Sequence, residues 1–144
     1  MRLDLSAEIC SEAPLHHLDW PSDITVWING VDIGCWTSPA DFGGERGLLT
    51  PDWWETKDSQ YGQLKIWSVT QNCSYIDGKS ISSVQIQDIR LEEKSYIEVQ
   101  LGIKPDALNV GGLNIFGEKF GNYPQPIVLK VNFEFPEGSE GKGG

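Results

Sequence analysis

Apolar and polar residues alternate from almost the first position of the chain. Leu3, Leu5, Ala7 and Ile9 are separated by polar side chains, the period-two pattern of a half-buried strand. A second pattern runs from Ile24 to Trp36 and turns at Asn29-Gly30. Both residues tolerate positive φ, so this dipeptide predicts a two-residue β-hairpin turn. Such a turn pairs Ile28 with Val31, Val26 with Ile33 and Ile24 with Cys35, and puts these six on one apolar face. Thr25, Trp27, Asp32, Gly34 and Trp36 then share the other face, and a one-residue slip would exchange the two. Gln63–Thr70 predicts a strand with Lys65, Trp67 and Val69 opposite Leu64 and Ile66. Asp77-Gly78 predicts another turn, and Ile81–Leu91 alternates in part through Val84 and Ile86. Ile97, Val99, Leu101 and Ile103 predict one strand and Leu113–Phe116 a short one. Ile127, Leu129, Val131, Phe133 and Phe135 predict the last. No segment holds a helical period over two turns. Seven to nine short strands separated by turn signals predict an all-β fold, an antiparallel β-sandwich or jelly roll.

Between these strands lie stretches without an apolar period. Ser11–Pro21 contains His16, His17, Trp20 and two prolines. Residues 37–62 hold Phe42, Trp53, Trp54 and Tyr61 among glycines, prolines and charges, and residues 117–126 hold Phe120, Asn122 and Tyr123. A loop as long as 37–62 inside a compact domain is usually functional or disordered, and its aromatic content argues for order. The pairs Gly43-Gly44 and Gly111-Gly112 predict turns or close backbone approaches. One domain over residues 1–135 and a flexible glycine-rich tail over 136–144 account for the whole chain. A strand that begins at once is the pattern expected of a domain belonging to a longer protein.

Composition narrows the partners. Eleven basic residues against twenty-one acidic ones give a net charge of −10. The bases do not cluster, so the electrostatic footprint of a nucleic-acid or anionic-membrane surface is missing from this chain. No apolar run approaches the length of a membrane span. The cysteines, Cys10, Cys35 and Cys73, are odd in number and follow no signal peptide. Reduced thiols and a cytoplasmic location are the expectation.

Candidate chemistry centres on the tryptophans. Indole faces stack on the C–H faces of sugars, while carboxylates and amides bind hydroxyls. The ligand-binding candidates are therefore Trp27, Trp36, Asp41, Arg46, Trp53, Trp54, Tyr61, Asn122 and Tyr123. The competing use of each tryptophan is to anchor a loop by burying a large ring. Asp19, Asp23, Asp41, Asp52 and Asp58 could offer oxygens to calcium, but without an EF-hand spacing. His16-His17 with a cysteine could form a softer site, although adjacent histidines in an extended loop point apart and no Cys-x-x-Cys is present. Neither pattern assigns a metal, and no cofactor is expected. No serine-hydrolase, phosphate-loop or zinc-protease motif occurs, and no catalytic residue is assigned. A glycosidase would need two carboxylates at a set separation, which a sequence does not supply.

Several long strings resemble a single family. They are Leu5-Ser-Ala-Glu-Ile-Cys-Ser-Glu-Ala-Pro14, Leu18-Asp-Trp-Pro-Ser-Asp-Ile-Thr-Val-Trp-Ile-Asn-Gly30, Trp36-Thr-Ser-Pro39, Asp41-Phe-Gly-Gly44, Pro51-Asp-Trp-Trp54 and Gly111–Gln125. They are similar to the C-terminal half of a group of ArsR-type winged-helix transcriptional regulators. Val26–Trp36 is also similar, over a shorter span, to the strand–Asn-Gly–strand element of galactose-binding-like jelly rolls. The first resemblance implies a ligand-sensing or dimerisation domain, with DNA contacted only through a winged-helix domain absent from this chain. It implies a homodimer as a further partner, and it assigns no ligand or site residue to this half. A carbohydrate-binding accessory module of an enzyme is the alternative.

Overall fold

The computed structural model describes residues 1–13, 18–43, 45–55 and 57–133. Among the described residues nine strands form two antiparallel sheets packed face to face. They are β1 (Arg2–Cys10), β2 (Ser22–Ile28), β3 (Val31–Ser38), β4 (Gln63–Val69), β5 (Ser74–Ile76), β6 (Lys79–Ser82), β7 (Val99–Ile103), β8 (Asn114–Phe116) and β9 (Val128–Asn132). The larger sheet runs β6-β5-β4-β1. The far edge of β1 is shared, by β9 along Arg2–Ser6 and by β8 along Glu8–Cys10. The smaller sheet is β3-β2-β7.

The alternation predicted in β1 holds on its inner face. Leu3, Leu5, Ala7 and Ile9 join Trp67, Val69 and Ile76 of the same sheet in the core. Ile24, Val26, Ile28 and Ile33 meet them from the smaller sheet. Val99, Leu101, Ile103, Leu129 and Val131 pack on the edges of this core, as their period predicts. Both dipeptide turns form: Asn29 and Gly30, and Asp77 and Gly78, all have positive φ. Residues 81–91, predicted to alternate as a strand, divide instead. β6 stops at Ser82, and Ile86–Ile89 make one turn of 3-10 helix. Asp88 caps the turn by accepting the Gln85 N–H at 2.8 Å, and Ile89 drops into the core. The Asn29 amide fixes this turn to the hairpin, donating to the Ile89 carbonyl at 2.8 Å and accepting the Glu98 N–H at 2.9 Å.

The hairpin register differs from the one predicted. Ile28 pairs with Val31 as expected, but Val26 faces Gly34 and Ile24 faces Trp36. Ile33 is the extra residue of a β-bulge. Past the bulge the faces of β3 exchange: Cys35 is exposed, and Trp36 packs against the core cluster. Trp27 and Trp36 therefore do not share a face. The bulge needs glycine at position 34, where φ is +129° and a Cβ would lie 2.3 Å from Ile81 Cδ1 of the opposite sheet.

Candidate functional site

The second half of β1 breaks its own alternation. Glu8 and Cys10 belong to the outer face of the sheet, yet they are 1% and 0% exposed. Two loops cover them. The Glu8 carboxylate accepts the backbone N–H of Gly62 at 2.8 Å, of Asn122 at 2.9 Å and of Tyr123 at 3.0 Å. One buried anion thus fastens the end of the 37–62 stretch and the 117–126 stretch to the same strand. Backbone donors to a carboxylate are the strong kind of hydrogen bond. Gly121 packs so tightly on this carboxylate that a Cβ there would sit 2.2 Å from Oε2. Burial also pushes the Cys10 thiol up to about 12.

The 37–62 stretch is ordered by its own polar core. Phe42 and Tyr61 form an isolated β-bridge at its base and stack with ring centroids 5.1 Å apart. Asp41, fully buried, accepts the Ala13 N–H at 2.7 Å and the Ser59 hydroxyl at 2.6 Å. Gln60, also buried, donates to the Glu55 carbonyl at 2.7 Å, and its own carbonyl accepts the Thr50 hydroxyl at 2.7 Å. Thr50 Oγ1 accepts the Gly121 N–H at 3.0 Å, and Leu49 N–H donates to the Gly121 carbonyl at 2.7 Å. These contacts join the two loops directly. Trp53, Trp54 and Phe120 then meet edge to face, with centroids 5.6 to 5.9 Å apart, the geometry favoured by aromatic quadrupoles.

A cleft of about 520 Å³ opens beside this aromatic group. Its walls are Trp54, Phe116 and Phe120, with Asp58 and Ser59 from one loop. Glu12 and Ala13, which follow β1, and Asn114 and Ile115 of β8 complete it. The pairing of Cys10 with Asn114 and Glu8 with Phe116 brings these distant segments together. The volume lies in the range of small-molecule sites, which combine apolar walls with a few convergent polar groups.

Of the nine residues singled out from the sequence, Trp54 lines this cleft. Trp53 touches both Trp54 and Phe120 and is 70% exposed. Arg46 is engaged in holding the loop, donating to the Pro51 carbonyl at 2.6 Å and the Trp54 carbonyl at 2.8 Å. Asn122 accepts the Leu48 N–H at 2.9 Å. Asp41 and Tyr61 belong to the loop's interior, and Tyr123 borders the cap over Glu8. Trp27 lies on the smaller sheet, and Trp36 sits between the sheets under the Lys65 ammonium, 4.7 Å from its ring. Glu8, Glu12, Asn114 and Phe116 are not among the candidates that the sequence singles out. Glu8 carries no local signal, since it stands at a polar position of an alternating strand that also holds Arg2 and Asp4.

Gly111 is a close approach, since a Cβ there would meet the Pro21 carbonyl at 2.5 Å, and Gly112 has φ +81°. His16, His17, Gly44, Phe135 and the tail lie outside the described residues. Among the described residues no group of three or more histidine, cysteine and carboxylate side chains converges in a way that could hold a metal. No described helix is long and apolar enough to cross a membrane. Comparison with family models, with curated proteins and with solved structures finds no match to this chain.

Proposed function

We propose that this domain binds a small polar molecule in the cleft between Trp54, Phe120 and Asn114, and that it serves as the ligand-sensing half of a transcriptional regulator. The observation that carries the binding reading is the joint construction of the cleft by two loops that share one buried anchor, Glu8. A ligand there touches Trp54, Asp58 and Ser59 of one loop and Phe120 of the other at once, so it links the positions of both loops. The resemblance to ArsR-type regulators supplies the regulatory half of the reading. DNA contact then belongs to a winged-helix domain outside this chain, in keeping with a net charge of −10. Sensing requires that the ligand bind two conformations of the protein with different affinity.

Thermal-shift and tryptophan-fluorescence screens of sugars, phosphosugars and amines test the reading. A binder is expected to raise the melting temperature and to change the emission of the wild type, and Trp54→Ala is expected to remove both effects. If no compound moves either signal, the domain has a structural role. Homodimerisation is the second reading, favoured by Leu48 and Trp53, which are 83% and 70% exposed on the same loop. A sedimentation coefficient that stays monomeric at high concentration counts against it.

A further inference from the structure

We infer that the ligand of this cleft is an organic cation, a primary amine, guanidinium or quaternary ammonium compound; the inference rests on the small-ligand reading above. The side-chain polar hydrogens of the described cleft residues are engaged within the protein. Both hydrogens of the Asn114 amide have acceptors, Ser59 Oγ at 2.8 Å and the Ser11 carbonyl at 3.3 Å. The Ser59 hydroxyl donates to Asp41 at 2.6 Å. The Trp54 indole N–H donates to the Ser59 carbonyl at 2.9 Å. What remains toward the opening is the carboxylates of Glu12 and Asp58 and the rings of Trp54, Phe116 and Phe120.

The lining holds no lysine, arginine or histidine among the described residues. Among the described residues the lysines and arginine nearest along the chain do not line the cleft. Lys57 pairs with Glu55 at 3.0 Å, and Arg46 holds the Pro51 and Trp54 carbonyls. Lys119 precedes Phe120 without lining the cleft. An anion entering here meets two carboxylates and, among the described residues, no cationic side chain. A cation meets two carboxylates and aromatic faces, and both attract it, the rings through their quadrupole. The chain's charge of −10 adds to the attraction at long range. The two carboxylates disfavour phosphosugars and offer a neutral sugar no charge to pair with.

The test titrates choline, agmatine, glucose and glucose 6-phosphate separately into the full chain. The Trp54 indole N–H resonance is followed by NMR, with thermal melts confirming that each variant is folded. Choline or agmatine is expected to give a saturable shift, weakened about tenfold by Asp58→Asn and by Glu12→Gln, and Trp54→Ala, followed at neighbouring backbone amides, is expected to give none, as for a desolvated charge on an aromatic wall. Cation binding that both carboxylate variants leave unchanged overturns the inference. Binding of glucose or glucose 6-phosphate with both cations silent overturns the charge class and leaves the small-ligand reading standing. Silence from all four compounds removes both.

Discussion

Glu8 is the residue whose replacement tells most about how the loops are held. Its carboxylate is 1% exposed and accepts three backbone N–H groups, those of Gly62, Asn122 and Tyr123. Glu8→Ala leaves all three without an acceptor. An unsatisfied buried donor costs roughly 1–3 kcal/mol. Asn122 is half-buried and Tyr123 exposed, so water reaches them after a small displacement and the lower end applies. Three donors at about 1 kcal/mol each, plus the packing lost with the side chain, give a destabilisation of about 3–5 kcal/mol. For a domain of this size that lowers the melting temperature by about 12–20 °C. Glu8→Gln keeps one acceptor oxygen but turns an NH2 toward a backbone donor, so about 2 kcal/mol is expected. The assay is urea unfolding of both variants, with amide hydrogen exchange on the folded state. Exchange is expected to quicken first at Gly62, Asn122, Tyr123 and Leu49, and not in β2 or β4. A Glu8→Ala protein within 1 kcal/mol of wild type, or one whose protection falls evenly across both sheets, refutes the anchor.

Other substitutions probe the rest of the account. Gly34→Ala places a Cβ 2.3 Å from Ile81 Cδ1 at φ +129° and is expected to cost about 2–4 kcal/mol. Gly30→Ala, at φ +80° with open space around it, is expected to cost about 1 kcal/mol in the same urea titration. Reaction with a thiol reagent at pH 8 is expected in the order Cys73, Cys35, Cys10. The Ser80 hydroxyl lowers the first thiol, burial raises the second, and burial pushes the third to about 12; rapid labelling of Cys10 in the folded state contradicts this. The hydrogen bond from Thr37, then that from Asn109, hold the Asp23 carboxyl below its ordinary value against a smaller opposing effect of burial. A depressed folded-state value gives stability that is complete above the unfolded value near 3.9 and is lost as pH falls through the folded one. Asp23→Asn is therefore expected to flatten the acid limb of stability against pH below about 4, and an unchanged limb contradicts it.

The sheets were legible because each strand writes its own pattern. Leu3 to Ile9, Ile97 to Ile103 and the dipeptides Asn29-Gly30 and Asp77-Gly78 act over short distances, and a period of two or a turn of two residues is visible locally. The bulge at Ile33 was not, because Gly34 looks like any residue on the polar face until Ile81 of the other sheet lies against it. The same distance hides the cleft. Trp54 and Phe120 stood out as aromatics in unpatterned loops. Glu12 and Asn114 became neighbours only through the β1–β8 pairing. Glu8 read as an outward polar residue in an alternating strand, and its burial depends on a segment more than a hundred positions away.

The central claim is that the cleft bordered by Trp54, Asn114 and Phe120 binds a small ligand. The Trp54 indole N–H, held by the Ser59 carbonyl at 2.9 Å, is the most direct reporter, because its ring forms one wall. Titration of the full chain with choline and agmatine, read at that resonance, is expected to give a saturable shift in the wild type and none in a Trp54→Ala control followed at neighbouring amides. A resonance that stays fixed through millimolar concentrations of cations, sugars and phosphosugars alike contradicts the claim and leaves the two loops with a structural role.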